Sequence, residues 1–264
     1  MSATQMSFKG KSVLVTGSTS GIGEACAHVF AESGAAVMVH GRNAERGRKV
    51  VEAIRSAGGI ADFLAADVRA DGACERLIGD TIRRLGGLDV LVNNAGILYT
   101  ANALDTTDAQ WLDTMAVNVS ALFYLSRAAV RHMTTAGKGA IVNIASEWGI
   151  NGEPKHVAYC ASKGAVVQIT RCMALDHAAD NIRVNSVCPG EIHTRMVDEI
   201  LATRGGDIAA NLRELAAGIP MRRLAKPVEV ARCVHFLASD LASYVTGTNL
   251  SVDGGNDATA GPYP

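Results

Sequence analysis

The sequence contains few aromatic residues, since Phe, Trp and Tyr together make up only 5% of its 264 positions. It also has no block of basic residues, because 25 Lys and Arg are balanced by 26 Asp and Glu for a net charge of −1. No nucleic-acid partner is therefore expected. A core with so few aromatics must be built from Ala, Val, Ile and Leu, which is typical of parallel sheets covered by helices on both faces.

The sequence also lacks any apolar run that approaches the ~18 residues required for a membrane span. Its polar beginning, MSATQMSFKG, has no apolar segment of the kind found in a signal peptide. We therefore expect a cytoplasmic protein without a membrane partner.

Spacings typical of metal ligands are absent as well. The six cysteines include no C-x-x-C pair, and the seven histidines include no H-x-x-x-H pair. No metal site is predicted, and the cysteines are interpreted as small hydrophobic residues of the core.

Short apolar runs alternate with helical patterns along the chain. Buried strands are predicted at residues 12–16, 36–40, 61–65, 88–92, 140–144, 183–187 and 248–252. Helices are predicted at residues 22–33, 44–57, 73–85, 108–133, 157–178 and 227–237. This alternation predicts right-handed βαβ units in an α/β, doubly wound Rossmann fold, with a seven-stranded parallel sheet flanked by helices. Without a repeat or linker, residues 1–264 are interpreted as a single domain.

One segment departs from the alternation. About forty residues separate the strand ending near Cys188 from the helix starting near Pro227, and a structureless loop of that length is improbable in a compact domain. Residues 196–202 and 208–217 have helical patterns, separated by Gly205 and Gly206. Residues 193–226 are therefore predicted to form a helical flap over a substrate cleft.

A glycine-rich turn, TGSTSGIG at residues 16–23, follows the first predicted strand. Glycines let a backbone approach a pyrophosphate, and the next helix offers free N–H groups at its start. The G-x3-G-x-G spacing differs from the G-x-G-x-x-G fingerprint, so the turn by itself could be only structural. Its position between a strand and a helix favours a dinucleotide site. Its candidate cofactor contacts are Gly17, Ser20, Ile22 and Gly23.

The second predicted strand leads into His40, Gly41 and Arg42, without the carboxylate that holds the adenosine ribose in many NAD-binding Rossmann proteins. Arg42 could bind a 2′-phosphate through its planar guanidinium group, or it could be a solvated residue at the start of a helix. NADP(H) is therefore the favoured cofactor, and NAD(H) remains possible.

Three further features converge on one edge of the predicted sheet. Tyr159 and Lys163 are four residues apart in a helical pattern and therefore share a helix face. Ser146 follows the fifth predicted strand, and the sequence NNAG at residues 93–96 follows the fourth, at the edge where doubly wound sheets bind ligands. Separately, Ser146 could cap a turn and Lys163 could be a surface charge. Together they predict a catalytic site.

These motifs resemble those of the short-chain dehydrogenase/reductase family, in its compact branch. The similarity extends from about residue 11 to residue 255. The matching positions are TGxxxGIG at 16–23, Asp67-Val68, NNAG at 93–96, Asn118, Ser146, YxxxK at 159–163, Pro189-Gly190 and VDGG at 252–255. The resemblance implies hydride transfer between a nicotinamide cofactor and a small secondary alcohol or ketone, with Tyr159 as the general acid/base. It also implies a homotetramer.

The resemblance assigns further roles residue by residue. Asp67 and Val68 would hold the adenine, and Lys163 would bond the nicotinamide ribose. Asn118 would hold a water that links Lys163 to solvent. The remaining cofactor contacts would be Asn93, Ala95, Gly96, Tyr159, Pro189, Ile192 and Thr194.

The proposed acid/base role requires a tyrosine whose pKa is lower than that of a free phenol. A free phenol has a pKa of about 10, and lowering it towards 7 requires about 4 kcal/mol. A cation about 4 Å away contributes about that much at an effective dielectric constant of 20. Lys163, aided by oxidised nicotinamide, is therefore expected to make the phenolate of Tyr159 accessible, while Ser146 orients the substrate oxygen.

Residues next to these motifs are expected to surround the reacting carbon. They are Ile97, Tyr99, Glu147, Trp148, Glu191, His193 and Met196. A carboxylate beside an indole suits a cyclic or polyhydroxylated substrate, which Ser146, Trp148 and Tyr159 would contact, although Trp148 could simply pack beneath the flap. A non-catalytic binding protein, and an epimerase or lyase that retains its cofactor, are the alternatives.

Overall fold

A computed structural model of the protein describes residues 6–204 and 206–258. Within these residues, seven strands form one parallel sheet with the order β3-β2-β1-β4-β5-β6-β7. The strands are β1 Ser12–Val15, β2 Ala36–Gly41, β3 Ile60–Ala65, β4 Val90–Asn93, β5 Gly139–Ile144, β6 Ile182–Pro189 and β7 Asn249–Val252. The predicted doubly wound Rossmann fold is confirmed, and the strand order reverses between β1 and β4.

Helices cover both faces of the sheet. They are α1 Gly21–Glu32, α2 Ala44–Ser56, α3 Ala73–Leu85, α4 Asp108–Met115, α5 Ala121–Ala136, α6 Val157–His177, α7 Arg195–Arg204, α8 Ile208–Ala217 and α9 Pro227–Ala238. In the part of the chain that the structure describes, none of them has the length and apolarity needed to cross a bilayer.

The apolar runs of the strands follow from burial on two sides. Successive side chains of a strand point to opposite faces, so a strand covered on both faces must be apolar throughout. In β1, Val13 and Val15 pack in one buried cluster with Phe30 of α1. Leu14, between them, packs on the other face with Leu125 of α5.

The helix predicted at residues 108–133 is divided in the structure. Ala116–Ser120 form a π-helical segment between α4 and α5, and Asn118 lies at its centre. The helical path then continues to Ala136, where Gly137 ends it in a left-handed conformation. An average period of 3.6 residues does not reveal one widened turn, and such turns occur frequently at functional sites.

The segment between β6 and α9 contains the two predicted helices. α8 has the predicted bounds and begins at Asp207, whose carboxylate accepts hydrogen bonds from the backbone N–H groups of Ala209 and Ala210. Of the two glycines expected between the helices, Gly205 lies outside the described residues.

Candidate active site

A cavity of about 1140 Å³ opens at the carboxyl ends of the strands. Its lining includes the glycine turn after β1 and the residues that follow β2, β4, β5 and β6, and it reaches α7. This is the edge where open α/β sheets bind ligands, at the point where the strand order reverses. One end, the Arg42 end, contains residues 41–46 and 66–69; the other, the Tyr159 end, contains residues 146–148, 159 and 190–192.

The glycine turn packs closely against the backbone of neighbouring segments. Gly17 has a φ of +61°, and a Cβ atom there would lie 2.8 Å from the Cα atom of Ala95. A Cβ atom on Gly23 would lie 2.5 Å from the carbonyl oxygen of Gly17, so only glycine lets α1 pack against the turn. Ser20 precedes α1 without a side-chain cap, and it lines the cavity together with Ile22. The turn and the start of the helix therefore fit a pyrophosphate.

Asn94 attaches the segment after β4 to this turn. Its Nδ2 donates to the carbonyl oxygens of Thr16 and Gly17 at 2.9 and 3.0 Å. In return, the hydroxyl oxygen of Thr16 accepts hydrogen bonds from the N–H groups of Asn94 and Ala95. Sequence reasoning missed this role, although Asn94 lies within the NNAG motif.

Asn93 does not line the cavity, contrary to expectation. Its side chain is buried behind the strands, where Nδ2 donates to the Ser126 hydroxyl and to Asn143 Oδ1, each at 2.9 Å. Neighbouring residues of an extended strand face opposite sides, so Asn93 faces the interior while Asn94 faces the glycine turn.

The Arg42 end of the cavity begins where β2 ends. Arg42 and Arg46 both line it, four residues apart, and Asn43 caps α2 by accepting a hydrogen bond from the N–H group of Arg46 at 2.9 Å. A Cβ atom on Gly41 would lie 2.6 Å from Cγ2 of Thr19, so the strand end packs closely against the glycine turn. Arg46 was not identified from the sequence, although its spacing from Arg42 places it one helical turn further on.

Asp67 and Val68 line the same end, and Asp67 is engaged by a neighbouring arginine. Arg69 donates to Asp67 Oδ2 at 2.6 Å and to Asp113 of α4 at 2.6 Å. The hydrogen bonds from Arg69 lower the pKa of Asp67 to about 2. Tyr99 donates to the other oxygen of Asp113 at 2.9 Å. This network joins the segments after β3 and β4 to α4, and no sequence motif indicated it.

The Tyr159 end contains the predicted catalytic group. Ser146 is buried just beyond β5, and its hydroxyl oxygen accepts a hydrogen bond from the N–H group of Trp148 at 3.1 Å. Tyr159 and Lys163 lie on one face of α6, with Nζ of Lys163 5.5 Å from the centroid of the Tyr159 ring. All three line the cavity, so the structure brings Ser146, Tyr159 and Lys163 together.

Burial has the largest effect on the protonation of Tyr159 and Lys163 in the protein chain alone. Burial raises the pKa of Tyr159; a hydrogen bond with Ser146 opposes this, and the charges of Glu191 and Glu147 add to it. Lys163 donates from Nζ to the carbonyl oxygen of Ile144 at 2.7 Å, and burial lowers its pKa to about 8. Desolvation thus disfavours the charged form of both side chains.

Asn118 does not line the cavity but lies directly behind it. Its Oδ1 accepts from the N–H group of Ile97, and its Nδ2 donates to the Ile97 carbonyl oxygen and to the Ser162 hydroxyl, at 2.9 to 3.0 Å. A Cβ atom on Gly96 would lie 3.4 Å from Asn118 Oδ1 and 3.7 Å from Nζ of Lys163. The side chain thus fastens the segment after β4 to α6.

Trp148 forms part of the cavity wall beside Tyr159. Its ring lies 4.7 Å from that of His156 and meets the Tyr159 ring edge-on at 6.0 Å. The indole is therefore held against α6 and the turn that precedes it. His193, in contrast, faces outwards and pairs with Asp198 at 3.4 Å, so it is not among the lining residues.

Carboxylates form the back of the Tyr159 end. Oxygens of Glu147, Asp253 and Asp257 lie within 4.8 Å of one another. Each already accepts a hydrogen bond from the chain, as Glu147 does from Asn256 Nδ2 at 3.1 Å. The bond between Asn256 and Glu147 joins the segment after β7 to the residue that follows Ser146.

The remaining expected residues are placed along the cavity as follows. Ala95, Gly96 and Ile97 line it after β4, and Pro189, Glu191, Ile192, Thr194 and Met196 line it after β6. A glycine-rich phosphate turn, a basic strand end and a Ser-Tyr-Lys group in one cavity define the class of dinucleotide-binding oxidoreductases built on the Rossmann fold.

Comparison with known proteins identifies the family within this class. A family model described as enoyl-(acyl carrier protein) reductase matches residues 17–257. The cyclopentanol dehydrogenase of Comamonas sp. is 42% identical over 94% of this chain and 97% of its own length. The cis-4-hydroxycyclohexanecarboxylate dehydrogenase of Sinomonas cyclohexanicum is 40% identical over 95% of this chain and 98% of its own. A solved structure from Beutenbergia cavernae, with NADP bound at low occupancy, is 37% identical, with a TM-score of 0.90 over 97% of this chain and all of that one.

The chain belongs to the short-chain dehydrogenase/reductase family. It is an NAD(P)-dependent oxidoreductase that acts on CH–OH groups. The resemblance seen in the sequence motifs is thereby confirmed.

Proposed function

We propose that the protein interconverts small secondary alcohols and ketones, with Tyr159 as the general acid/base. The observation that carries the proposal is the meeting of Ser146, Tyr159 and Lys163 in the cavity that also contains the glycine turn. When bound, a nicotinamide cofactor supplies or accepts the hydride. The protein must then provide the proton that passes to or from the substrate oxygen.

Each member of the group has a task that suits its position. Ser146 holds the substrate oxygen and orients it towards Tyr159, whose hydroxyl gives or takes the proton. Lys163 bonds the nicotinamide ribose, and its lowered pKa of about 8 lets it exchange a proton near neutral pH. Asn118 is a positioning residue, because it holds Gly96 beside Lys163 through Ile97.

The cofactor occupies the cavity from the Arg42 end to Thr194, and NADP(H) is preferred. Arg42 and Arg46 offer cations where no carboxylate stands at the tip of β2. A charge-assisted contact of this kind contributes about 1.5–3 kcal/mol, or roughly ten- to hundredfold in affinity. Asp67 and Val68, which line the same end, hold the adenine. The other contacts are Gly17, Ser20, Ile22, Ala95, Gly96, Tyr159, Pro189 and Ile192.

The substrate is a small secondary alcohol or ketone, with a cyclic or polyhydroxylated compound favoured. Trp148 offers a flat wall beside Tyr159, and Glu147 offers hydrogen bonds next to Ser146. The names of the cyclopentanol and hydroxycyclohexanecarboxylate dehydrogenases support a ring substrate. Residues 193–226 act as the flap over this end, within a single domain of residues 1–264 in a cytoplasmic protein.

The protein assembles as a homotetramer. Trp111 and Leu112 of α4 and Phe123 and Tyr124 of α5 expose large apolar side chains. Arg127 lies over both α5 rings, at 5.4 and 5.2 Å from their centroids. Burial of such a surface between copies stabilises an assembly. Sedimentation at micromolar concentration is expected to show the tetramer, and a monomer alone would contradict it.

One assay separates these proposals from the alternatives. The purified protein is mixed with NADP or NAD and a panel of alcohols and ketones, and the absorbance of the reduced nicotinamide is followed. Turnover with release of altered cofactor is expected. A binding protein would show none, and an epimerase or lyase would convert substrate without net change in the cofactor.

A further inference from the structure

A buried histidine supports the wall of the Tyr159 end. His156 comes directly before α6, is only 8% exposed and does not itself line the cavity. Its ring lies 4.7 Å from the indole of Trp148, with 33° between the two planes. The indole in turn meets the Tyr159 ring edge-on at 6.0 Å. His156 therefore packs against a cavity residue that lies beside the proposed acid/base.

Both ring nitrogens of His156 are engaged. Nδ1 lies 2.8 Å from the carbonyl oxygen of Pro154, and Nε2 lies 3.2 Å from the hydroxyl oxygen of Thr100. Because a carbonyl oxygen only accepts, Nδ1 carries a proton, and Nε2 of the neutral ring accepts from the Thr100 hydroxyl. Thr100 lines the cavity after β4. The imidazole is thus fixed in one orientation and joins the segment after β4 to Trp148, which follows β5.

The backbone beside His156 is fixed as well. Ala101 pairs with His156 in a short parallel bridge, and its N–H group donates to the carbonyl oxygen of Lys155 at 2.7 Å. Lys155 has a φ of +62°, a conformation that is uncommon for a residue with a side chain and that the surrounding structure must impose. The turn before α6 thus holds the imidazole against the indole through the main chain as well as through its nitrogens.

We propose that His156 is a positioning residue that holds Trp148 as a flat wall, and that this wall makes the enzyme prefer ring-shaped secondary alcohols over acyclic ones. The inference rests on the proposed function and assigns its ring preference to one pair of side chains. A flat ring can lie along the indole over its whole length, whereas a flexible chain makes fewer contacts. An indole free to change its rotamer would lose this advantage, because ordering it on binding costs conformational entropy.

Two alcohols of similar polarity test the preference. Cyclohexanol and 2-hexanol have the same number of carbon atoms and one secondary hydroxyl group each, so they differ mainly in ring closure. kcat/KM is measured for cyclohexanol and for the better enantiomer of 2-hexanol, with saturating NADP. We expect the wild type to favour cyclohexanol by about threefold or more, which is the size of one aromatic contact.

A double-mutant cycle assigns the preference to the pair. His156→Ala should lower the preference for cyclohexanol by about threefold, mainly through a higher KM for this alcohol, and Trp148→Ala should lower it at least as far. In the Trp148→Ala background, His156→Ala should change the preference by less than about twofold, because no indole remains to be held. His177→Ala makes the same change at the last residue of α6 and should behave as the wild type.

Two outcomes of the cycle would overturn the proposal. One is a wild type that does not favour the ring, and the other is an effect of His156→Ala that is equally large without the indole. Thermal unfolding shows whether His156→Ala is folded. If it is not, His156→Asn replaces it, since its amide can still donate to the Pro154 carbonyl oxygen but offers no ring. His156→Asn should lose the preference, and its retention would overturn the proposal.

Fluorescence separates a failure of this inference from a failure of the proposed function. Absence of turnover with every alcohol would contradict the function. The sequence contains two tryptophans, so Trp111→Phe leaves Trp148 as the sole indole. In this variant with NADP, cyclohexanol should change the emission of Trp148 at a concentration about threefold or more below that needed for 2-hexanol. Equal concentrations for the two alcohols, or no change with cyclohexanol, would overturn the inference.

Discussion

The cavity wall carries Arg42 and Arg46 at its Arg42 end. At the Tyr159 end, the charges of Glu147 and Glu191 raise the pKa of Tyr159. The two ends also differ in exposure, because Arg42 is exposed to solvent and Glu147 is buried. A charge in solvent is screened and shifts affinity modestly, whereas a buried one has larger effects on neighbouring groups. The charges of the Arg42 end therefore suit recognition of an anionic group, whereas the buried groups of the Tyr159 end suit control of protonation.

The largest effect is expected at the Tyr159 end. Tyr159→Phe removes the hydroxyl that moves the proton, and kcat should fall by more than about 100-fold, the usual size of an acid/base contribution. Cofactor affinity, measured by fluorescence titration, should change little, because the contacts of the Arg42 end are unaltered. Retention of more than about a hundredth of the activity would contradict the role of Tyr159.

A smaller effect is expected at the Arg42 end. Arg42→Ala should weaken NADP(H) binding roughly ten- to hundredfold and leave NAD(H) binding nearly unchanged, because only NADP(H) carries the 2′-phosphate. Arg46→Ala serves as the matched variant and should weaken NADP(H) binding less than Arg42→Ala does. Equal losses for both cofactors would show that Arg42 does not recognise the phosphate.

Reversal of cofactor preference requires attention to packing as well as charge. Gly41→Asp combined with Arg42→Ala should favour NAD(H), since the new carboxylate can hold the ribose hydroxyls and repels a 2′-phosphate. A Cβ atom at residue 41 would lie 2.6 Å from Cγ2 of Thr19, so addition of Thr19→Ser should improve the exchanged enzyme. The ratio of kcat/KM for NADP(H) to that for NAD(H) is measured for the double variant and again after addition of Thr19→Ser. A ratio that still favours NADP(H) in these variants would contradict the prediction.

The smallest effect concerns stability at the Tyr159 end. Because folding raises the pKa of Glu147 from its ordinary 4.5 to about 8, its contribution to stability is fully present below pH 4.5 and is lost as the pH rises through 8. Glu147→Gln should therefore gain in Tm relative to the wild type between pH 5 and pH 9, by at least about 2 °C, which corresponds to roughly 1 kcal/mol. Glu32→Gln, the same change on an exposed residue at the end of α1, serves as the control. A Tm difference that does not vary with pH in Glu147→Gln would contradict the raised pKa.

The sequence was most informative where a residue type is required by backbone geometry. Gly17 and Gly23 could be identified because no other residue fits between the turn, α1 and Ala95. The strands could be located because burial on both faces demands continuous apolar runs, as in Val13, Leu14 and Val15.

Side-chain direction and long-range pairing could not be predicted in the same way. Asn93 and Asn94 are the same residue type at adjacent positions, and only the strand geometry shows which of them faces the turn. The bonds of Arg69 to Asp67 and Asp113 join segments distant in sequence, so no local spacing indicates them. The burial that raises the pKa of Tyr159 likewise depends on the packed fold rather than on the distance to Lys163 along α6.

One measurement tests most directly the tasks assigned to the Arg42 end and the Tyr159 end. On the wild-type enzyme, kcat/KM is determined for a panel of small secondary alcohols with each of NADP and NAD. We predict turnover of secondary alcohols and a preference for NADP of roughly ten- to hundredfold. An enzyme at least about tenfold better with NAD, or one that turns over none of the alcohols, would contradict the account.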